Sequence, residues 1–159
     1  MGANRSMPSI ALYQPDIPQN AGTILRLCAC LGVEVHVIEP AGFDLSDRAL
    51  RRAGMDYLAH VSLVRHPSWG DFETWRRENR RRLVLLTTTA TQTYASLAFA
   101  RDDVILLGRE SAGVPAAVHE AANERLIIPM IAGLRSLNVA TAAAMVLGEA
   151  LRQTDGFPA

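Results

Sequence analysis

The chain has 159 residues, of which 49% are apolar, 20% charged and 6% aromatic, with 16 basic and 16 acidic side chains. This composition predicts one globular domain with a sizeable core and argues against a disordered chain or a membrane-spanning helix. All 16 basic residues are arginine, which excludes a Schiff base on lysine and a P-loop lysine. No signal-peptide pattern follows the start, so we expect a soluble cytoplasmic protein.

Short β-branched runs alternate with helical patterns along the chain. The predicted strands are residues 9–13, 33–38, 59–64, 83–88, 104–107 and 126–130. The predicted helices are residues 21–31 with Asn20 as N-cap and Gly32 as stop, then 47–53, 71–81, 115–122 and 138–153. This alternation predicts a single α/β domain over residues 9–155, with a mainly parallel sheet flanked by helices. Residues 1–8 are predicted to form an N-terminal extension.

The last predicted helix, residues 138–153, is apolar on nearly every side. Such a helix is buried on more than one side, either in the centre of the core or between the core and a second subunit. The two cysteines, Cys28 and Cys30, are predicted to be buried free thiols.

Charge is unevenly distributed although the total is zero. Residues 48–82 hold nine arginines against four acidic residues, which predicts a basic sector that could meet a polyanion. One group of arginines lies on the short predicted helix, and a second group ends the helix predicted at 71–81. For the second group a solvated face explains the charges equally well.

Three segments at the ends of predicted strands carry polar residues, where open α/β sheets bind ligands. Residues 108–113 (GRESAG) follow a buried strand and match neither GxGxxG nor GxSxG. Residues 128–138 (IPMIAGLRSLN) precede the last helix, and residues 20–26 (NAGTILR) begin the first. Each segment has a structural explanation on its own, as a turn or a cap. The four histidines lack metal-ligand spacing, so we expect no metal.

Together, and in this order, the three segments resemble the motifs of the SPOUT superfamily, specifically the SpoU-type RNA ribose 2′-O-methyltransferases. The first motif matches Asn20, Gly22 and Arg26, the second residues 106–115 (LLGRESAGVP), and the third residues 128–138. The resemblance covers residues 10–153. The runs YQPDIPQNAGTILRLCA, HVIEPAGF and LRRAGMDY are similar to the TrmL subgroup, whose members methylate the wobble nucleotide of certain tRNAs.

The resemblance implies a C-terminal trefoil knot, a site for S-adenosylmethionine, a homodimer and a tRNA substrate. The implied reaction is 2′-O-methylation of cytidine or uridine 34. The alternatives are a methyltransferase for another tRNA position or for rRNA, and a non-catalytic RNA-binding module of the same fold. Without the resemblance, we would interpret the sequence as that of a doubly wound α/β protein that binds a small molecule. Three positions, Ala140, Gly148 and Leu151, depart from residues common in relatives.

The resemblance also assigns roles to individual residues. The expected catalytic residues are Arg26, Ser136, Asn138, Glu110 and Asn20. The expected cofactor contacts are Leu86, Gly108, Ile128, Met130, Ser136 and Leu137. The expected RNA contacts are Arg48, Arg51 and Arg52 on the short predicted helix. Because the pKa of a guanidinium exceeds about 12, we expect Arg26 to orient the reacting hydroxyl or a phosphate, with Ser136 or a phosphate oxygen helping to remove the proton. On its otherwise apolar helix, Arg26 is expected to need an anionic or carbonyl partner.

Overall fold

The computed structural model describes residues 6–44, 48, 57–134 and 136–159. Its centre is a seven-stranded sheet, formed by β1 (Ser9–Tyr13), β2 (Val35–Ile38), β3 (Leu63–His66), β4 (Arg82–Leu86), β5 (Gln92–Thr93), β6 (Asp103–Leu107) and β7 (Glu124–Ile127). All strand pairs are parallel, and the spatial order is β3-β2-β1-β6-β4-β7-β5. The predicted single α/β domain with a parallel sheet is therefore confirmed.

Helices cover both faces of the sheet. Within the described ranges they are α1 (Pro18–Leu31), α2 (Trp69–Glu78), α3 (Ala116–Ala121) and α4 (Val139–Thr154). Because successive strand residues point to opposite faces, Ile10 and Leu12 join the core formed with α1 and α4. Their neighbour Ala11 joins a second core that contains Phe72 of α2. Strands covered on both faces explain the continuous apolar runs in the sequence.

Three local predictions are wrong. The helix predicted to start after Asn20 begins at Pro18 with Ile17 as N-cap, so Asn20 lies in its first turn. Proline suits a first helical position because its fixed φ fits the helix and its missing N–H costs nothing there. The strand predicted at 59–64 is replaced by a 3-10 helix, Leu58–His60, followed by β3. The two-residue strand β5 was not predicted at all.

The helix α4 has one face in the core and another in solvent. Asn138 caps it by accepting hydrogen bonds from the N–H groups of Ala140 and Thr141. Ala143 and Leu147 are fully buried, whereas Met145 is 38% exposed. Of the two readings given for this helix, burial on every side within one chain is therefore wrong. In the single chain, this apolar face of α4 is exposed to solvent.

Two of the five arginines between residues 76 and 82 support the fold. Arg76, only 7% exposed, donates to Glu73 through Nε (2.6 Å) and Nη2 (2.8 Å). Arg82 forms a similar two-bond pair with the buried carboxylate of Asp103, at 2.6 and 2.7 Å. Two-bond pairs of this kind are strong and directional. These residues are therefore structural, and the basic sector is narrower than the sequence suggests.

The cysteine prediction holds for one residue of the two. Cys28 is buried in the core, and burial raises the pKa of its thiol to about 12. Cys30 is exposed on α1, contrary to the prediction, because it faces away from the sheet. In the described part of the chain, no helix is long and apolar enough to cross a membrane.

Candidate active site

A cavity of about 580 Å³ opens where β4, β6 and β7 end. Its walls are the segments that follow these three strands, together with Asn20 from the first turn of α1 and Ala142 from α4. The carboxyl ends of parallel strands are the usual ligand-binding edge of an open α/β sheet. Small molecules occupy cavities of roughly 300–1,000 Å³, so this one is large enough for a nucleoside-sized ligand.

The cavity gathers all the residues for which a cofactor contact was predicted. They come from three separate segments, and all of them line it: Leu86, Gly108, Ile128, Met130, Ser136 and Leu137. Leu86, Leu107 and Ile128 make its floor apolar, which suits a flat aromatic ring. Thr87 and Thr88 add hydroxyl groups that sequence reasoning missed, although their position directly after a buried strand could have indicated them.

The segment 108–113 is a tight loop that brings backbone close to the cavity. Arg109 and Gly113 exchange two backbone hydrogen bonds of 3.0 and 2.8 Å, and Gly113 has a φ of 64°. A Cβ atom at Gly108 would lie 2.8 Å from the carbonyl carbon of Gly113. Only glycine therefore fits at position 108 without moving the loop.

Three predicted catalytic residues form one hydrogen-bonded chain. The Asn138 side-chain amide donates to Asn20 Oδ1 at 2.9 Å, and Asn20 Nδ2 donates to Glu110 Oε1 at 3.4 Å. These residues are separated by 118 and 90 positions in the sequence. The fold thus joins the three motifs at one edge of the cavity.

A residue that sequence reasoning missed, Asp16, continues this chain. Its backbone N–H donates to Glu110 Oε2 at 3.5 Å, and its carboxylate accepts a short hydrogen bond from Ser111 Oγ. Arg109 Nε lies 3.7 Å from Asp16 Oδ2. The only signal in the sequence was an acidic residue inside the proline-rich loop before α1, which by itself indicates nothing.

The two neighbouring carboxyl groups have opposite pKa shifts. Hydrogen-bonding contact with the Glu110 side chain and the hydrogen bond that Ser111 donates, together with the nearby Arg109 guanidinium, lower the pKa of Asp16 to about 2. Burial and the adjacent Asp16 carboxyl raise the pKa of Glu110 above its ordinary value. When two carboxyl groups share one site, the first proton goes to the one whose charge is less well stabilised. Here that group is Glu110.

The structure places Arg26 apart from the cavity lining. Its side chain is exposed on α1, and its guanidinium stacks over the Tyr57 ring at 4.8 Å from the centroid. The prediction that it needs an anionic or carbonyl partner is wrong, because solvent reaches it and an aromatic face supports the charge. A helix rises about 1.5 Å per residue, so Arg26 lies about 9 Å along α1 from Asn20.

Two of the remaining predicted residues, Ser136 and Arg48, lie within the described part of the chain. Ser136 is exposed beside the cavity mouth. Arg48 is helical and exposed, whereas Arg51 and Arg52 lie outside the described residues. Among the described residues, no group of three or more His, Cys, Asp or Glu side chains could hold a metal ion.

Comparison with known proteins gives consistent matches. Residues 7–148 match the SpoU rRNA Methylase family. The chain is 65% identical over 144 residues to the tRNA (cytidine(34)-2'-O)-methyltransferase of Beijerinckia indica subsp. indica, covering 91% of this chain and 90% of that protein.

Solved structures share the fold. One, described as structural insights into the 2-OH methylation of C/U34 on tRNA, is 39% identical with a TM-score of 0.87, covering 94% of this chain and 97% of that one. The SpoU methyltransferase AviRb from Streptomyces viridochromogenes, in complex with AdoMet, is 28% identical with a TM-score of 0.86, covering 95% of this chain and 62% of that one. With its three motifs assembled around one cavity, this chain belongs to the SpoU methylase family.

Proposed function

We propose that this protein is an S-adenosylmethionine-dependent tRNA ribose 2′-O-methyltransferase that acts on nucleotide 34, a cytidine or uridine. The observation that carries the proposal is the meeting of Asn20, Glu110 and Asn138, one from each motif, at a single cavity. The name of the Beijerinckia relative and its 65% identity support the nucleotide assignment.

The cavity fits the methyl donor in size and chemistry. Its apolar floor suits an adenine ring, and the backbone of three strand ends offers hydrogen-bonding groups to the ring edge. Gly108 keeps that backbone close, since any side chain there would collide with the loop. Leu86, Gly108, Ile128, Met130 and Leu137 would hold the cofactor. When bound, S-adenosylmethionine supplies a methyl group activated by its sulfonium.

The residues of the chain position the ribose and handle its proton. With the donor bound, the chain would hold the 2′-hydroxyl in line with the activated methyl group, and the hydroxyl proton would leave for a phosphate oxygen, with Ser136 accepting a hydrogen bond from that hydroxyl. Arg26, exposed, permanently charged and outside the cavity lining, would orient a phosphate next to the target nucleotide. Asn20 and Asn138 fix the edge of the cavity through their mutual hydrogen bond. Alignment of this kind supplies much of the rate enhancement in group transfer.

We also propose a homodimer built on the exposed faces of α4 and α1. On α4, Met145 is 38% exposed, and a Cβ atom at Gly148 would meet nothing within 4 Å. Substituting Gly148 with leucine should therefore leave the monomer fold intact while weakening the dimer, as measured by sedimentation velocity at micromolar concentration. A wild-type monomer in that measurement would contradict the proposal.

The expected partner is tRNA, reached through exposed arginines such as Arg48. We place the reaction in the cytoplasm, where bacterial tRNA is processed. A C-terminal trefoil knot, as implied by the resemblance, would put the segment 128–138 inside the cofactor site. The lining of the cavity by Ile128, Met130, Ser136 and Leu137 supports the placement of this segment at the site.

The decisive experiment is nucleoside mass spectrometry of tRNA from a strain that lacks the gene. We expect loss of one 2′-O-methylated nucleoside at position 34 and its return on complementation. Loss at another tRNA position, or from rRNA, would refute the nucleotide assignment. With purified protein, binding of S-adenosylmethionine and RNA without methyl transfer to any RNA would identify a non-catalytic module instead.

A further inference from the structure

Asp16 is held rigidly between two loops at the edge of the cavity. On one side, the N–H of Gly42 donates to the carbonyl of Pro15 at 2.8 Å. A Cβ atom on Gly42 would lie 2.9 Å from the Cβ atom of Asp16, so only glycine permits this approach. On the other side, Ser111 and Glu110 bind Asp16 from the tight 108–113 loop.

The hydrogen bonds that end at Asp16 have a fixed direction. Asn138 Oδ1 accepts the N–H groups that begin α4, so the amide of Asn138 can only donate to Asn20. Asn20 then uses its oxygen as acceptor and must donate to Glu110. Glu110 therefore receives one donor on each carboxylate oxygen, from Asn20 and from the backbone of Asp16. This pattern suits an ionised Glu110.

The Asp16 carboxylate, which Ser111 and Arg109 hold in its ionised form, lies at the same site as this ionised group. Among the described residues, the charged group facing the pair is Arg109, with Nε 3.7 Å from Asp16 Oδ2. Asp16 Oδ1 and Arg109 Nε are both buried and have no hydrogen-bond partner within the described part of the chain. Two ionised carboxyl groups at one site repel each other, so the one without a cation beside it takes up a proton more readily than an isolated group would.

We propose that Asp16 is a positioning residue for Glu110: its backbone N–H fixes one Glu110 oxygen, and its carboxylate places a second negative charge beside Glu110, which forms no ion pair within the described residues. A protonated Glu110 turns from acceptor into donor on the oxygen that carries the proton, and it competes with the hydrogen bond from the Asp16 backbone. The arrangement of Asn20 then loosens, and methyl transfer falls. The predicted loss of methyl transfer rests on the proposed function, whereas the predicted effect of Asp16 on the titration of Glu110 does not.

The first test needs no substrate. Carbon-13 NMR of the side-chain carboxyl groups follows Glu110 through a pH titration in wild type and in Asp16→Asn. We expect the midpoint to fall by up to about one pH unit in the variant, yet to stay above the ordinary value because burial persists. Glu39→Gln is the matched control, since it also removes one carboxylate, which pairs instead with Arg65. An unmoved midpoint in Asp16→Asn would overturn the proposal.

The second test asks whether the same group governs catalysis. In methyl-transfer assays, the acidic limb of the kcat profile should follow the NMR midpoint and move to lower pH in Asp16→Asn, with kcat on the plateau and KM for tRNA little changed. Asp16→Glu should restore the limb. If kcat on the plateau falls in Asp16→Asn while the acidic limb of the profile stays in place, Asp16 has only a structural role and the inference is refuted.

Two further results keep the inference separate from the proposed function. If Asp16→Asn fails to fold, Ser111→Ala replaces it, because Ser111 is exposed. This substitution removes a hydrogen-bond donor to the Asp16 carboxylate and should therefore raise the titration midpoint of Asp16. If no RNA is methylated by wild type while both titrations move as expected, the proposed function fails and the assignment of the carboxyl pair stands.

Discussion

A buried histidine pair makes the stability of this protein sensitive to acid. His36 is fully buried, with Nδ1 2.8 Å from His66 Nε2 and Nε2 2.7 Å from Glu34 Oε1. Trp75 covers the pair, with its ring centroid 4.1 Å from that of His36. Burial lowers the pKa of His36 from 6.5 to about 4, although Glu34 opposes the shift. A decrease in pH should therefore lower the free energy of unfolding.

The sign and size of the effect follow from linkage. Because the pKa of His36 is lower in the folded protein, the unfolded chain binds more protons between pH 6.5 and about 4. The stabilisation is complete above pH 6.5 and disappears as the pH falls through the folded value. The difference between the two values corresponds to roughly 3 kcal/mol of unfolding free energy. The pKa of His66 is lowered by burial as well, which acts in the same direction.

Urea unfolding at a series of pH values measures this loss. Wild type should lose about 3 kcal/mol more than His36→Gln between pH 7 and pH 4, since glutamine does not titrate. The exposed His60 provides the control, and His60→Gln should follow the wild-type curve. Parallel curves for wild type and His36→Gln would refute the assignment of acid sensitivity to the buried pair.

Four other outcomes can be checked. Gly108→Ala should abolish cofactor binding in calorimetry and cost about 1–3 kcal/mol of stability, because its Cβ atom would sit 2.8 Å from backbone; normal affinity would show that the loop yields. Asp103→Asn should destabilise by about 3 kcal/mol in thermal unfolding, since it breaks a buried two-bond pair with arginine; an unchanged Tm would contradict this. Arg26→Ala should abolish methyl transfer with an unchanged melting curve, because the residue is exposed; a large decrease in Tm would indicate a structural role instead. Replacing Arg51 and Arg52 with glutamine should weaken tRNA binding and reduce its salt dependence by up to about 0.9 per contact, and an unaltered slope would place the tRNA on another face.

The sequence is sufficient to predict the layered architecture and the meeting of the motifs. Apolar runs without alternation indicate strands covered on both faces, as observed in β4 and β6. The resemblance of the three motifs to those of the SpoU-type methyltransferases implies that Asn20, Glu110 and Asn138 belong to one site, and their hydrogen bonds join them. Both predictions rest on patterns that do not depend on the exact residue at which a helix or strand begins or ends.

The parts that sequence reasoning missed depend on contacts between distant segments. Asp16 meets Ser111 across 95 positions, and no local pattern links a loop carboxylate to that hydroxyl. The strand β5 has only two residues and pairs with β7 alone, so it leaves no apolar run to recognise. Arg76 looked like part of a solvated face because its partner Glu73 is one helical turn away and the burial of both is a tertiary effect.

The hydrogen bond between Asn20 and Asn138 has a consequence for biosynthesis. It closes across 118 positions, so a growing polypeptide on the ribosome possesses no complete cavity until α4 has emerged and docked. Contacts of such sequence separation form late because the chain entropy they cost is large. Nascent chains interrupted before residue 138 would therefore lack the pocket edge altogether, and incomplete translation products could not compete with finished enzyme for its ligands.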